Sequence, residues 1–174
     1  MHHRPETDRG ARRDRLIHER VHDSCKTPRK WPEPAVCKVC GAVFHKGRWE
    51  WNNVVPNGAT RVTCQACRRM RDRFPAGIVR LSGAYVQAHK GEMLRMIRHI
   101  ESTERREHPL NRIMGIEERK GCLEIRTTDI HLPHQIAESL RSAYGGKARI
   151  RYEKEGYFAR ADWQGRPGSD SMTH

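Results

Sequence analysis

Apolar and polar residues alternate regularly in the second half of the chain, between residues 76 and 164. From residue 122 to residue 127, Leu123 and Ile125 alternate with Glu124 and Arg126, and this period of two is typical of a strand with one buried face. The same pattern predicts further strands at residues 77–81, 113–118, 148–152 and 157–163.

Apolar residues three and four positions apart predict two helices in the same region. The first covers residues 88–107 and ends before Pro109, and the second follows the capping residue Asp129 and ends at Gly145-Gly146. Their apolar stripes are Met93, Ile97 and Ile100 in the first helix and Leu132, Ile136, Leu140 and Ala143 in the second. The element order is therefore βαββαβ with one extra C-terminal strand. We predict an α+β domain with a ferredoxin-like, split βαβ sheet.

Two Cys-x-x-Cys pairs, Cys37/Cys40 and Cys64/Cys67, lie in the first half of the chain. Each pair places two thiolates on one side of a tight turn, and two facing turns form a tetrahedral sulfur site that suits Zn²⁺. All four ligands would come from the protein, so we expect one structural Zn²⁺ with no position open for catalysis. A thioredoxin-like redox motif and an iron–sulfur centre are the alternatives, and the paired spacing favours zinc.

The 23 residues between the two pairs are enough for the chain to run out and back as a hairpin, which predicts a four-cysteine zinc ribbon at residues 36–75. Trp49 and Trp51 are two apart and would share one strand face. We expect one aromatic ring to cover the metal site. The alternatives are a stacking platform for a base, beside Lys46 and Arg48, and packing against the αβ domain.

A run of basic residues follows the second cysteine pair directly, in a segment predicted to be a short helix or turn. Such a run is usually a solvated face, but its attachment to a rigid metal site favours phosphate binding here. The candidate RNA-binding residues are Lys46, Arg48, Trp49, Trp51, Arg68, Arg69, Arg71 and Arg73.

The two ends of the chain differ from the middle. Residues 1–35 are rich in arginine and poor in large apolar residues, which predicts a basic arm that is disordered when free or becomes ordered on a nucleic acid. Residues 165–174 are polar and are predicted to be a flexible tail after the αβ domain, residues 76–164. We expect Cys25, in the arm, to be a free thiol, and Cys122, at the start of a strand, to be a small buried hydrophobe.

Charge narrows the choice of partner. The 174 residues carry a net charge of +13, with 36% hydrophobic and 32% charged residues. A field of this sign attracts polyanions, and arginine is the better bidentate phosphate ligand, so nucleic acid is the first candidate. No signal peptide, amphipathic membrane helix or apolar run of ~20 residues is evident, and we expect a cytoplasmic protein with no membrane partner.

Catalysis has little support in the sequence. His131 and His134 could meet on one helix face, but no third ligand, nucleophile motif or phosphate-binding glycine loop accompanies them. The glutamates near the end of the first helix alternate with arginines, as is typical of exposed ion pairs. We therefore expect neither an enzyme nor a small-molecule substrate.

Several motifs resemble one family. Cys37-Lys-Val-Cys40-Gly41, the returning Cys64-Gln-Ala-Cys67, Leu123-Glu-Ile-Arg-Thr-Thr-Asp129 and His108-Pro109-Leu110-x-Arg112-Ile113 are similar to elements of small bacterial zinc-ribbon proteins. Those proteins are related to the N-terminal region of the large-ribosomal-subunit export adaptor and its archaeal counterparts. The likeness covers about residues 36–163. It implies ribosomal RNA as a partner, and of the site residues it carries over only Cys37, Cys40, Cys64 and Cys67 as metal ligands.

The sequence departs from that family in having only four paired cysteines, so the likeness does not imply nuclear export. Together, the features predict a zinc-ribbon RNA-binding protein that docks on the ribosome, with the large subunit favoured, during assembly, hibernation or quality control. Ribosomal proteins are expected as further contacts. The alternative is a DNA-binding transcriptional regulator with a structural zinc site, although no helix-turn-helix is evident.

Overall fold

The computed structural model describes residues 30–52, 54–153 and 157–166. The predicted arm therefore lies almost wholly outside the described residues, as do Cys25 and most of the predicted tail. The described residues form two sheets and three helices. We call the residues from 30 to 75 the cysteine module and those from 76 to 166 the αβ domain.

The cysteine module contains four short strands and one helix: β1 (Ala35–Cys37), β2 (Val43–His45), β3 (Arg48–Glu50), β4 (Thr60–Val62) and α1 (Gln65–Asp72). The strand order is β3-β2-β1-β4, and β4 runs parallel to β1 whereas the other pairs are antiparallel. A β2–β3 hairpin and a separate returning strand therefore occupy the segment between the two cysteine pairs.

The αβ domain contains β5 (Gly77–Ser82), α2 (Ala84–Glu107), β6 (Ile113–Arg119), β7 (Cys122–Thr127), α3 (His131–Tyr144), β8 (Lys147–Tyr152) and β9 (Ala159–Gln164). This is the predicted element order. The first helix begins four residues earlier than predicted, after Gly83, and changes direction at His89, whose φ of −115° is not helical. Asp129 caps α3 as predicted, because its Oδ2 accepts hydrogen bonds from the backbone N–H groups of His131 (2.7 Å) and Leu132 (2.9 Å).

The five strands lie in the order β6-β7-β5-β9-β8, and β5 pairs in parallel with β9. In a simple split βαβ sheet the strand after the second helix would pair with β5. Here the last strand occupies that position and β8 lies at the edge. Ala159, Ala161 and Trp163 on β9 are all buried, whereas Arg149 and Arg151 on β8 are exposed. The more apolar strand takes the interior place, and the charged strand forms the edge.

Both helices of the αβ domain pack on one face of this sheet. The core between the two helices and the sheet consists chiefly of Val79, Leu81, Met93, Ile97, Leu123, Ile125, Leu132, Ile136, Leu140 and Trp163. Gly77 permits the close contact of β5 with α3, since a Cβ there would lie 2.4 Å from Cγ of Pro133. The core is continuous and lies wholly in the αβ domain.

The opposite face of the sheet bears charged side chains in place of an apolar layer. Arg80 lies 3.2 Å from Glu124, Arg151 lies 2.8 Å from Asp162, and Arg126 pairs with Glu117. Within the described strands, the register places no aromatic side chain on this face. Arginine charge on the sheet is therefore largely matched by carboxylates.

Candidate metal centre and nucleic-acid interface

The sulfur atoms of Cys37, Cys40, Cys64 and Cys67 all lie within 4.8 Å of one another, and the Cys40 and Cys64 sulfurs are 3.8 Å apart. A tetrahedral ion with Zn–S bonds of about 2.3 Å requires sulfurs about 3.8 Å apart. Three of the four cysteines are buried. The predicted ligand set is thus brought together as a group that can hold a metal ion.

The first cysteine pair lies on a tight turn between β1 and β2. The backbone N–H of Cys37 donates to Ala42 O (2.8 Å), and that of Gly41 donates to Cys37 O (2.9 Å). Gly41 has a φ of +80°, which side-chain-bearing residues rarely adopt. This glycine lets the chain reverse immediately after Cys40 and directs both thiols to one side.

The second pair differs from the prediction of a second ribbon turn, because it opens a helix. Cys64 is the N-cap of α1, and its sulfur accepts the backbone N–H of Cys67 at 3.5 Å. The backbone N–H of Cys64 itself donates to the Cys37 sulfur at 3.4 Å. A thiolate is favoured at a helix N-terminus by the exposed N–H groups and the helix dipole. The module is therefore a turn-and-helix site, with the hairpin between the two pairs.

A residue of the αβ domain completes the surroundings of the cysteines. Arg112 is only 5% exposed, and its guanidinium donates to the Cys67 sulfur (3.4 Å) and to Pro109 O (2.6 Å). Leu110 also packs against the cysteine cluster. Four thiolates around a divalent ion carry a net charge of −2, which a buried arginine offsets. Spacing and charge pattern in the sequence did not identify this role for Arg112.

Hydrogen bonding within the cluster separates the acidities of the thiols. The hydrogen bond shared by Cys40 and Cys64 lowers the pKa of Cys40 to about 4 and raises the pKa of Cys64. Burial raises the pKa of Cys67, against the opposing influence of Arg112. A metal ion must displace the remaining thiol protons, so metal binding here is coupled to proton release.

The two candidate tryptophans have different environments. Trp49 packs against the cysteine cluster, with its ring centroid 5.5 Å from those of Trp31 and Phe44. It is the aromatic ring expected to cover the metal site. Trp51 is 39% exposed and contacts the αβ domain, where its Nε1 donates to Arg105 O at 2.6 Å.

Trp51 also lines a cleft of about 370 Å³ between the cysteine module and the C-terminal half of α2. The other lining residues are Arg98, Glu101, Ser102, Arg105 and Arg106. The guanidinium carbon of Arg105 lies 5.8 Å from the Trp51 ring centroid. Glu101, the one acidic side chain of the cleft, accepts the backbone N–H of Ile113 at 2.7 Å through one oxygen and pairs with Arg98 at 3.1 Å through the other, which leaves the charges of Arg105 and Arg106 unmatched within the cleft lining. An indole face and three arginines are thus brought together, and of these residues the sequence singled out only Trp51.

The basic residues predicted after the second cysteine pair do not form one exposed cluster. Arg69 is only 6% exposed and donates to Phe74 O at 3.2 Å, so we remove it from the candidate phosphate ligands. Arg68 is half-buried with its guanidinium 5.1 Å from the Trp31 ring. Arg71 is exposed beside Asp72 at 2.7 Å, and Arg73 is exposed at the end of α1. Helical periodicity turns Arg69 inward while its neighbours face outward.

The remaining candidates, Lys46 and Arg48, lie at the tip of the β2–β3 hairpin and are exposed. Lys46 has a φ of 49° in the turn, and Arg48 lies 3.6 Å from Glu50. They are on the same hairpin as Trp49 but do not line the Trp51 cleft.

Elsewhere in the described ranges, no other group of three His, Cys, Asp or Glu side chains is placed to hold a metal ion. Cys122 is half-buried rather than fully buried. None of the three described helices is both long enough and apolar enough to cross a lipid bilayer. Comparison with protein-family models, with curated proteins and with solved structures found no match.

Proposed function

We propose that this chain is a zinc-stabilised RNA-binding protein that docks on the ribosome in the cytoplasm, favouring the large subunit. The observation behind RNA binding is the Trp51 cleft, where an exposed indole lies among Arg98, Arg105 and Arg106. Unpaired bases stack on aromatic rings, and arginines bind the adjoining phosphates.

Charge distribution supports this cleft over the open sheet face. The cleft has three arginines and one carboxylate, and because that carboxylate pairs only with Arg98, two positive charges there exceed the negative charge. On the sheet, Arg80, Arg126 and Arg151 each pair with an acid, and the described strands present no ring there for a base. We treat this sheet as a ferredoxin-like variant whose final hairpin is inserted beside β5, and we place its RNA contacts off the sheet.

Four sulfur donors at tetrahedral separation support zinc as the ion, because Zn²⁺ accepts this geometry without strain. We assign the ion a structural role, because four protein sulfurs leave no position for a substrate. The protein is accordingly proposed to bind rather than to catalyse. The ribosome as the partner is supported by the family resemblance and by the net charge of +13.

Fluorescence anisotropy with single-stranded RNA at several salt concentrations tests RNA binding. We expect Trp51→Ala to weaken binding by about 1–3 kcal/mol, the value of one base–aromatic stack. Trp51→Phe keeps a stacking face while losing the hydrogen bond to Arg105 O, and should retain more affinity than Trp51→Ala. Tyr152→Ala, which removes another exposed ring, is the matched control.

The same titration has two results that would overturn the proposal. One is unchanged RNA affinity for Trp51→Ala in a folded, metal-loaded protein, which would exclude the cleft. The other is tighter binding of duplex DNA than of any RNA, which would favour the DNA-binding regulator.

A further inference from the structure

A second cavity lies at the other end of the αβ domain, where α2 begins and α3 ends. Its volume is about 660 Å³. Four glycines form much of its wall, and three basic side chains surround it: Gly83, Gly145, Gly146 and Gly165, with Arg141, Lys147 and Arg166. We call it the glycine-lined pocket. It shares no residue with the cysteine cluster or with the Trp51 cleft.

The backbone around this pocket excludes side chains. Gly145 and Gly146 have φ values of +70° and +76°, in the left-handed region that glycine tolerates. A Cβ at Gly145 would lie 2.7 Å from the Arg166 guanidinium, and one at Gly146 would lie 2.3 Å from Gln164 O. Glycine at these positions lets Arg166 lie close over the backbone. The Gly145 N–H donates to Arg141 O, Gly145 O accepts from Trp163 Nε1, and the Gly165 N–H donates to Ser82 O, so the groups left for a ligand are chiefly the basic side chains.

The charges around the pocket are of one sign. Arg141 comes from α3, Lys147 from the start of β8 and Arg166 from the segment after β9, so three separate elements direct positive charge here. None of the described lining residues is acidic, but Glu138, outside the lining, pairs with Arg141 at 2.6 Å, so the unmatched positive charge of the pocket comes from Lys147 and Arg166. The start of α2 and the carboxyl end of α3 both border the pocket, so their opposite dipoles oppose each other there and the basic side chains supply the positive charge.

We propose that the glycine-lined pocket binds a backbone phosphate of the same RNA whose base stacks on Trp51. This inference rests on the proposed function and adds a second contact point to it. The pocket and the cleft lie at opposite ends of α2. A straight helix would rise about 27 Å from Ala84 to Ser102, at about 1.5 Å per residue, and the change of direction at His89 makes the actual distance shorter. An RNA strand that spans this distance contacts both sites and gains affinity from their linkage.

The test compares two double variants of the full chain by RNA anisotropy over a series of salt concentrations. Lys147→Ala with Arg166→Ala removes two charges at the pocket. Arg149→Ala with Arg151→Ala removes two charges from the open face of the same edge strand and is the matched control. Both changes are at exposed residues, so the fold should persist.

We expect the pocket variant to bind RNA roughly tenfold more weakly, with a salt slope smaller by about one, as for the loss of one phosphate contact. The control should keep the wild-type slope. A pocket variant with wild-type affinity and slope, in a protein whose affinity still falls with Trp51→Ala, overturns this inference and leaves the proposed function standing. If the wild-type chain binds no RNA, both fail.

A second measurement identifies the source of the phosphate. The backbone amide resonances of Gly83, Gly145, Gly146 and Gly165 should shift on addition of RNA long enough to bridge both sites, and much less with inorganic phosphate at equal phosphate concentration. Shifts with inorganic phosphate that RNA neither reproduces nor competes away would mean a site for a free anion, and would overturn the assignment to RNA.

Discussion

The cysteine module and the αβ domain are held together by different physical means. The module's sheet consists of three-residue strands, and its buried side chains are chiefly the cysteines, Ala66 and a few residues on and beside β1 and β2, namely Ala35, Ala42, Val43 and Phe44. The αβ domain has a continuous apolar core between a five-stranded sheet and two helices. A core as small as that of the module offsets little of the conformational entropy lost on folding, and the proposed zinc ion would supply the remaining free energy.

The two regions contact each other beside the cysteine cluster and at the end of α2. Arg112 and Leu110 of the αβ domain contact the cysteine cluster, while Trp51 of the module donates to the end of α2. The Trp51 cleft is formed by both regions. The apolar core stabilises the αβ domain, the proposed zinc ion would stabilise the module, and the candidate RNA site is formed only where the two regions are in contact.

Loss of one sulfur ligand should produce the largest difference in stability between the cysteine module and the αβ domain. Cys40→Ser removes much of the roughly 10–16 kcal/mol that a structural zinc ion contributes to folding. We expect residues 35–72 to lose protection from amide hydrogen exchange while residues 77–164 keep it. Cys122→Ser is the control, since Cys122 is a thiol in β7 outside the cluster. Retention of one tightly bound ion by folded Cys40→Ser would refute the assigned ligand set.

A cavity in the αβ core should destabilise the αβ domain and leave the metal site of the cysteine module unchanged. Trp163 is 1% exposed and its Nε1 donates to Gly145 O at 3.0 Å. Trp163→Ala should lower the free energy of unfolding of the αβ domain by about 3–5 kcal/mol in chemical denaturation. The metal content of the folded protein should stay the same. Tyr152→Ala, at an exposed ring, should change stability little, and equal losses in the two variants would contradict the placement of the core.

Arg112 tests the contact between the regions. Arg112→Met keeps an unbranched side chain but removes the donors to the Cys67 sulfur and to Pro109 O. We expect metal affinity to fall about 10–100-fold in competition with a chelator, as for other groups that support metal ligands. Arg149→Met, at an exposed arginine, should leave affinity unchanged. If Arg112→Met binds metal as tightly as wild type, the arginine does not support the cluster.

The smallest effect concerns the cap of α3. Asp129→Ala should cost about 1 kcal/mol, because two backbone N–H groups lose their acceptor. Asp129→Asn keeps an acceptor oxygen. It also avoids the cost of burying a negative charge, which is the cause of the raised pKa of Asp129. It should therefore match or exceed wild type in stability at pH 7.

The sign of the pH dependence follows from that raised pKa. As pH falls through it, the wild-type carboxyl becomes protonated and its burial cost disappears, so any advantage of asparagine should shrink. Thermal unfolding of both variants and wild type between pH 7 and pH 5 measures this difference. An Asn variant as unstable as the Ala variant at pH 7 would mean that the negative charge itself stabilises the start of α3.

Local patterns predicted most of the elements, because period and turn residues act over a few positions. β7 has the predicted bounds, and Asp129 and Gly145 delimit α3. The four cysteines lie together because Cys-x-x-Cys spacing already dictates each half of the site. The interior position of β9 also had a local signal in its small and aromatic residues, but strand order depends on competition between strands that one pattern cannot decide.

Features that no motif encodes, some local and some long-range, account for what the sequence did not predict. Arg69 belongs to a charge run, yet its place on α1 directs it inward to Phe74 O. Arg112 is separated from Cys67 by 45 positions, and no spacing rule connects them. In the sequence, the arginines of the Trp51 cleft are indistinguishable from other exposed arginines on a helix. They line a cleft only because the cysteine module packs beside α2. Such sites arise from the packing of regions and not from motifs.

The most direct test of the central claim is sedimentation of the metal-loaded chain with purified ribosomes through sucrose gradients at low and high salt. The account predicts comigration with the large subunit at low salt, progressive loss as salt rises, and much weaker comigration of Trp51→Ala than of Tyr152→Ala. Wild-type protein that stays at the top of the gradient at every salt concentration would contradict it.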